Sequence, residues 1–221
     1  MRLLLLVRSV LGLALHLVAA VAARLLTRHR CAACSALLRQ ASAFCPTCAL
    51  TVEWVEGYPP RAAARFSGAV RAAILRLKYE GHVEVAVPLA HVALIRLEAL
   101  GEDDHDAIVP IPLHPARLAT RGFNQCGLVA QEMARRLGTP CLHRALRRVR
   151  ATETQAALGR EARLENVQGA FEARPRSGVA GKRVLLLDDV TTTGATLAAA
   201  KTALVAAGAK AVFVFAIAEQ A

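Results

Sequence analysis

Hydrophobic and polar positions change their period several times along the chain, and these changes predict helices and strands in turn. From residue 61 onward, helical patterns of apolar residues alternate with short apolar runs of the kind found in buried strands. This alternation is typical of an open, mainly parallel sheet flanked by helices, so we expect an α/β fold. The predicted helices cover about 67–78, 87–100, 124–138 and 196–207, and the predicted strands cover 107–109, 184–187 and 211–218.

The first 27 residues form a separate, strongly apolar segment. Arg2, Ser9 and His16 recur at seven-residue spacing, which places a polar stripe on one face of a predicted helix. We expect this amphipathic helix to dock on the protein or to lie on a membrane surface. A membrane span is disfavoured because Arg8 and His16 would sit in the hydrocarbon. A secretory signal is the alternative, since alanines near the end of the segment resemble a cleavage region.

Residues 28–56 contain two pairs of cysteines, Cys31 with Cys34 and Cys45 with Cys48. Four thiolates at this spacing can converge on one Zn²⁺, so we expect a small zinc-ribbon-like module. Because all four ligands are cysteines and no position remains for water, the zinc should be structural. Two disulfides are the competing interpretation. A Pro- and Gly-containing joint at 56–60 separates this module from the α/β domain, which we place at 61–221.

The formal charge is +11, from 28 Lys and Arg against 17 Asp and Glu, and such an excess favours polyanionic partners. Six arginines fall in one stretch that has no acidic residue between them. They are Arg135, Arg136, Arg144, Arg147, Arg148 and Arg150. Two interpretations stay open, a solvated basic face and a groove for nucleic acid. The stretch lacks the interleaved aromatic residues that commonly stack on bases.

The most informative stretch follows the predicted strand 184–187. Asp188 and Asp189 come at its carboxyl end, where ligands of open α/β sheets bind. The small residues 192–196 then lead into a helix, so backbone N–H groups and the helix N-terminus can surround a phosphate. Paired acids beside a phosphate site suit a ligand that offers both sugar hydroxyls and a phosphate, with Mg²⁺ between them.

This stretch resembles the motif with which type I phosphoribosyltransferases bind 5-phosphoribosyl-1-diphosphate (PRPP). The resemblance implies that Asp188 and Asp189 hold the ribose 2- and 3-hydroxyls. It also implies that the loop holds the 5-phosphate, and the loop consists of Thr192, Thr193, Gly194, Ala195 and Thr196. In purine enzymes of that family an acid lies three residues beyond the second aspartate, but this chain has Thr192 there, which disfavours a purine acceptor.

A second region, residues 109–125, reads VPIPLHPARLATRGFNQ and resembles the signature of the ComF family, phosphoribosyltransferase-like proteins linked in some bacteria to DNA uptake. The cysteine module, the stretch LKYEG at 77–81 and the PRPP loop extend this resemblance over nearly the whole chain after residue 30. Arg117 and Arg121 lie one helical turn apart and could clamp a diphosphate. For His114, a phosphate contact and packing against prolines remain equal alternatives.

The thiols and the phosphate chemistry belong to a reducing, nucleotide-rich compartment, so we expect a cytoplasmic protein. The resemblance implies that it binds PRPP with Mg²⁺ and transfers the phosphoribosyl group to an acceptor that the sequence does not name. Two other functions stay open: a PRPP or nucleotide sensor without turnover, and a competence factor that contacts single-stranded DNA or a helicase. A homodimer is a further open alternative. Arg150 begins a polar segment that suits a loop closing over PRPP, while Lys78 and Tyr79 are expected to pack rather than to reach the site.

Overall fold

The computed structural model describes residues 29–57, 61–102, 104–150 and 169–220. The predicted amphipathic helix at the N-terminus lies outside the described residues. The predicted closing loop lies outside them too, apart from its first residue, Arg150. Among the residues described, no helix is both long and apolar enough to cross a membrane.

The described residues form six strands, β1 (Ala62–Arg65), β2 (Ala107–Pro110), β3 (Leu146–Arg148), β4 (Phe171–Ala173), β5 (Arg183–Thr191) and β6 (Ala211–Glu219). Four of them are parallel and form the central sheet in the order β1, β6, β5, β2. A separate antiparallel pair, β3 with β4, lies outside this sheet. This arrangement confirms the mainly parallel α/β fold expected from the sequence.

Helices connect the parallel strands, as crossover connections require. The helices of the described chain are α1 (Pro46–Ala49), α2 (Gly68–Tyr79), α3 (Ala86–Ala99), α4 (Pro115–Arg121), α5 (Gln125–Leu137) and α6 (Ala195–Ala206), with a 3₁₀ turn at Val83–Val85. Four of them, α2, α3, α5 and α6, match predicted helices to within one or two residues. Part of the segment 109–125 forms the short helix α4, which carries Arg117 and Arg121 one turn apart.

The sheet is buried on both faces, because alternate residues of β5 enter two different hydrophobic clusters. Leu185 and Leu187 pack in one cluster with residues of α2, α3 and α5. Val184 and Leu186 pack in the other with residues of α6 and of the β3–β4 pair. Such two-sided burial is why the strand reads as an unbroken apolar run.

Strand β5 is longer than its apolar run predicts. It continues through Asp188 and Asp189 to Thr191, with Asp188 opposite Ala216 and Val190 opposite Ala218 of β6. The prediction of a strand ending at residue 187 was therefore wrong at its carboxyl end. Backbone pairing with β6 extends the strand regardless of side-chain polarity, so the two carboxylates are attached to the sheet itself.

Of the polar residues at the N-cap positions of α5 and α2, one makes a side-chain cap bond and the other does not. The side chain of Asn124 accepts from the N–H of Cys126, which confirms it as the cap of α5. Ser67 stands at the N-cap position of α2, yet its hydroxyl donates to Glu53 and makes no cap bond. The start of α2 is tied instead by Thr51, whose hydroxyl accepts from the N–H of Ala69 at 2.9 Å.

The cysteine-containing segment packs against the α/β domain. Cys31, Ala32 and Phe44 are buried in the same hydrophobic cluster as α2 and α3. The buried Arg76 of α2 donates from Nη1 to the carbonyl oxygens of Ala32 (2.8 Å) and Cys31 (3.3 Å). The backbone around the first cysteine is therefore held by a guanidinium from the other part of the chain.

Candidate functional site

Two buried carboxylates lie side by side near the carboxyl end of β5. Asp188 is 8% exposed and Asp189 is 5% exposed. The backbone N–H of Asp189 donates to Asp188 Oδ1 at 2.8 Å, and the N–H of Val190 donates to Asp189 Oδ1 at 2.7 Å. These short local bonds fix the orientation of both carboxylates before any ligand arrives.

A cavity of about 210 Å³ opens beside these carboxylates. Both aspartates line it, together with residues that follow β2, residues of α4 and α5, and the end of α2. The lining residues are Lys78, Tyr79, Ile111, Pro112, Leu113, Arg117, Arg121, Gln125, Cys126, Arg148, Asp188, Asp189, Val190 and Thr196. The cavity thus lies at the carboxyl ends of neighbouring parallel strands, where open α/β sheets bind ligands.

Lys78, in the last turn of α2, reaches into the cavity. Its Nζ lies 2.8 Å from Asp189 Oδ2, and its side chain is 17% exposed. Burial opposes the charged amine, but the carboxylate of Asp189 outweighs burial and raises the pKa of Lys78 above its ordinary value. The expectation that Lys78 only packs was wrong, because α2 ends directly over the paired acids.

A thiol completes the surroundings of Asp188. Cys126 Sγ donates to Asp188 Oδ1 at 3.4 Å, and burial raises the pKa of this thiol, so it stays protonated. Burial, and after it the charge of Asp189, raises the pKa of Asp188 to about 7. Lys78 acts in the opposite direction. A partly protonated acid is the state expected of two adjacent carboxylates before a ligand supplies more donors.

Arg121 is positioned by a buried amide. Its Nη1 donates to Gln125 Oε1 at 2.7 Å, and Gln125 is 4% exposed. The guanidinium of Arg121 also lies 5.4 Å from the centre of the Tyr79 ring, within cation–π range. Arg117 lines the same cavity one turn earlier in α4, so the structure brings both predicted arginines to the two aspartates.

Arg148 of β3 is a cavity residue that sequence reasoning did not single out. Its guanidinium lies 5.3 Å from the ring centre of Phe171. Burial lowers the pKa of Arg148, and the positive charge of Arg117 lowers it further. Both guanidiniums line the same cavity, and their like charges favour an anion there. Arg150, which sequence reasoning chose, does not line the cavity.

The loop after β5 has the turn that its glycine predicts. Gly194 has φ +79°, a left-handed conformation that favours glycine, and it is the N-cap of α6. The side-chain oxygen of Thr193 accepts from the N–H of Ala195 at 3.3 Å. Thr196 lines the cavity, whereas Thr192, Thr193, Gly194 and Ala195 are not among the residues that line it. The helix N-terminus accordingly adjoins the aspartates, as a phosphate site requires.

The carboxylate pair has the hard oxygen donors that Mg²⁺ prefers. Two of its four oxygens already accept hydrogen bonds from backbone N–H groups or the Cys126 thiol, and a third lies 2.8 Å from Lys78 Nζ in an ion pair. A magnesium ion here would therefore keep most of its coordination for water and ligand phosphates, which is how this ion commonly binds in phosphate sites. The residues present fit a Mg²⁺ ion that arrives with its ligand.

The four cysteines of the N-terminal module form one compact cluster. Their sulfur atoms all lie within 4.8 Å of one another, and the sulfurs of Cys34 and Cys45 are 3.8 Å apart. That separation is close to the edge of a tetrahedron with metal–sulfur bonds of about 2.3 Å. Cys31, Cys34, Cys45 and Cys48 are all free thiols, so the alternative of two disulfides was wrong.

The thiols of this cluster differ in their pKa, because burial and hydrogen bonds with the other three thiols raise the pKa of Cys48. Burial acts to raise the pKa of Cys31, but backbone N–H groups, those of Cys34 and Cys45 foremost, outweigh it and lower that pKa to about 6. A thiolate is the form that binds metals. The cluster could therefore hold a structural metal ion.

The arginine-rich stretch is partly neutralised by its neighbours. Arg135 and Arg136 both pair with Glu132, at 2.8 and 2.7 Å, and Arg147 pairs with Glu172 of β4 at 2.5 Å. Both glutamates lie outside the stretch 135–150, so the composition of the stretch alone did not show that its arginines are paired. The pairs favour a solvated face over a nucleic-acid groove for this part of the surface.

Comparison with known proteins agrees with this geometry. A family profile described as "Phosphoribosyl transferase domain" matches residues 124–221. The DNA utilization protein YhgH of Escherichia coli K12 is 31% identical over 201 residues, which cover 84% of this chain and 88% of that protein. The chain belongs to the ComF family of phosphoribosyltransferase-like proteins. A further ComF relative, competence protein F of Haemophilus influenzae, is 41% identical over 93 residues, covering 42% of this chain and 41% of its own length.

Among solved structures, one similar to this ComF protein is a glutamine PRPP amidotransferase from B. subtilis complexed with ADP and GMP. It is 23% identical, covers 60% of this chain and 26% of its own, and has a TM-score of 0.41. A likeness at this level carries no argument about activity.

Proposed function

We propose that this ComF protein binds PRPP together with Mg²⁺ in the cavity beside Asp188 and Asp189. The observation that carries the proposal is that one cavity joins the paired acids, the start of α6 at Thr196 and a group of cations. Paired acids suit the ribose hydroxyls, and a helix N-terminus suits the 5-phosphate. The cations suit a diphosphate, which Arg residues bind in a bidentate manner.

The charges of the cavity favour a polyphosphate over a neutral sugar. Four cationic side chains line the cavity, against the two carboxylates. These cations are Lys78, Arg117, Arg121 and Arg148. Even with both acids ionised, the site therefore keeps an excess of positive charge for a ligand with several negative oxygens.

The chemistry that we propose is displacement of diphosphate from C1 of the ribose by a nucleophilic acceptor. Asp188 and Asp189 would orient the ribose, and Arg117 and Arg121 would stabilise the departing diphosphate. Mg²⁺, held by the ligand phosphates near the acids, would neutralise part of the diphosphate charge. A carboxylate serving as base for the acceptor is not required by this scheme, since an amine or ring nitrogen can attack directly.

Turnover distinguishes a transferase from the sensor alternative. The test is a screen of nucleobases and amines as acceptors, with Mg²⁺-dependent release of diphosphate as the readout. Release above the rate of the Asp188→Asn and Asp189→Asn variants would establish a transferase. PRPP binding without release for any acceptor would support the sensor, in which the site of this chain binds without reacting.

We further propose that the four-cysteine cluster holds one structural Zn²⁺. Four convergent thiols, one with a lowered pKa, match the donor set of closed zinc sites. Free thiols and phosphate chemistry also suit a cytoplasmic protein.

A role in DNA use is the second candidate, because relatives carry the names DNA utilization protein and competence protein. Single-stranded DNA is the ligand to test, with affinity measured as a function of salt. Salt-sensitive binding that survives replacement of both aspartates would place this role outside the cavity. Loss of binding in the same variants would instead connect it with the phosphoribosyl site.

A further inference from the structure

The ammonium group of Lys78 lies directly beside the paired acids of the cavity. It lies against Asp189 Oδ2 at 2.8 Å, inside the cavity and largely shielded from solvent. The other oxygen of that carboxylate already accepts from the N–H of Val190. One oxygen of Asp189 thus accepts a backbone hydrogen bond, and the other faces the Lys78 ammonium in an ion pair. The positive charge opposite Asp189 therefore comes from a residue of this chain.

This ion pair is not explained by the packing of α2. The helix is anchored to the rest of the chain by the apolar side chains of Ile74 and Leu77, both about 1% exposed. A buried ion pair contributes little net stability compared with apolar residues of similar size, because both charges lose their hydration. A lysine aimed at a carboxylate within a ligand cavity is therefore more informative about binding than about folding.

The remaining donors of Lys78 suit a ligand. A lysine ammonium carries three N–H donors, and its contact with Asp189 uses one of them. A ribose that places its hydroxyls on the two aspartates would lie within reach of this ammonium. Lys78 can then bind Asp189 and a sugar or phosphate oxygen at once.

We propose that Lys78 supplies the positive charge beside Asp189 that lets the cavity bind ribose 5-phosphate esters without a divalent cation. The inference rests on the proposed function, because it assumes that the cavity takes a phosphorylated ribose. It assigns Mg²⁺ to the diphosphate alone. A ligand that lacks the diphosphate, such as ribose 5-phosphate, should then be indifferent to the metal.

The experiment is calorimetric titration with ribose 5-phosphate in resin-treated, metal-free buffer and again with Mg²⁺ added. Chelators are omitted because they would also remove metal from the cysteine cluster. The wild type is compared with Lys78→Met, which removes the charge, and with Lys78→Arg, which keeps it. Lys182→Met is the matched control, since Lys182 precedes β5 at the opposite end of the strand.

We expect Mg²⁺ to change the affinity of the wild type and of Lys182→Met for ribose 5-phosphate by less than about threefold. Lys78→Met should bind about 30-fold more weakly in metal-free buffer, since a buried carboxylate has lost its partner. Added Mg²⁺ should restore most of that loss. Lys78→Arg should keep more affinity than Lys78→Met. A fold defect alone would not be reversed by Mg²⁺, so the restoration separates charge from structure.

Three outcomes would overturn the inference: a wild type that binds ribose 5-phosphate only with Mg²⁺, a Lys78→Met variant that binds normally without metal, or a loss in that variant which Mg²⁺ does not reverse. If Lys78→Met does not fold, the inference is still tested by two measurements. They are the effect of Mg²⁺ on the affinity of the wild type for ribose 5-phosphate, and the affinity of Lys78→Arg for the same ligand. If the wild type binds PRPP with Mg²⁺ but does not bind ribose 5-phosphate without metal, the inference about Lys78 is wrong and the proposed function is unaffected. Binding of neither ligand would remove the proposed function itself.

Discussion

The cysteine cluster and the aspartate cavity both gather ionisable side chains, but they do so in opposite ways. The cluster brings together four identical soft donors whose sulfurs lie within 4.8 Å of one another. The cavity sets Lys78 and three arginines against two carboxylates around about 210 Å³ of space. A single metal ion would use all four donors of the cluster, whereas the cavity has an excess of positive charge that can bind a larger anionic ligand.

The difference shows how function can be separated from structural support. Identical donors that converge on a point leave no position for a substrate, and the cluster is joined to the core through Cys31, Ala32 and Arg76. Mixed charges around an open space are costly unless a ligand uses them. Damage to the cluster should therefore lower stability, and damage to the cavity should lower affinity.

The largest effect is expected from loss of a cluster ligand. Wild-type protein should contain about one equivalent of zinc, and Cys31→Ser should lose it and melt more than about 10 °C lower, because metal binding contributes to folding. Metal analysis and thermal unfolding provide the check, with Cys141→Ser as control, a half-buried cysteine outside the cluster. If wild-type protein without zinc were as stable as the zinc-containing protein, the cluster would not be a structural zinc site.

Next in size is the effect of the cavity arginine that sequence reasoning missed. Arg148→Ala should weaken binding of PRPP with Mg²⁺ by about 10- to 100-fold, since it removes charged hydrogen bonds to the ligand. Its unfolding free energy should change little. Arg150→Ala, which alters a residue away from the cavity wall, should stay within about twofold. Calorimetry on the two variants checks this, and the reverse ranking would favour the choice made from sequence.

A smaller effect on affinity is expected from Gly194, in the loop that we propose binds the 5-phosphate. Gly194→Ala and Gly181→Ala both force alanine into a left-handed conformation, at φ +79° and +73°, and each should cost about 1 kcal/mol of stability. Gly194→Ala alone should also weaken PRPP binding, about tenfold, because the loop amides shift. Equal affinities in the two variants would argue against a phosphate at this loop.

The smallest effect should come from a helix cap beside the cavity. Asn124→Ala removes the bond to the N–H of Cys126 and another to the carbonyl of Ile111, so it should lower the free energy of unfolding by about 1 kcal/mol. Ser67→Ala, at a position without a cap bond, should cost less than half of that. Denaturant unfolding measures both. If both variants lost similar amounts of unfolding free energy, the cap bond of Asn124 would not contribute specifically to the stability of α5.

The elements with strong local signals could be predicted from the sequence. Helix α5 has a cap at Asn124 and a stop at Gly138. The order of apolar strand, acids and glycine loop led to the candidate site around Asp188. Strand β1 was missed because its residues are Ala62, Ala63, Ala64 and Arg65, which have no local preference for strands. These residues form a strand because they pair with β6, which is distant in the sequence.

The residues missed at the site depend on contacts between distant parts of the chain. Lys78 reaches Asp189 because α2 ends over the carboxyl edge of the sheet, which no local pattern reveals. Arg148 lines the cavity through its place in β3, a strand of three residues that pairs with β4 further along the chain. Neighbouring arginines in such a short strand carry no periodic signal that would show which one faces the ligand.

The most direct test of the central claim is calorimetry of PRPP with Mg²⁺ on the wild type, Asp189→Asn and a matched control. The control is Asp104→Asn, which alters an exposed acid that pairs with Arg183. We predict that Asp189→Asn binds about 30-fold or more weakly and that Asp104→Asn binds like the wild type. Equal affinities of the wild type and Asp189→Asn would contradict the assignment of the paired aspartates to the ribose.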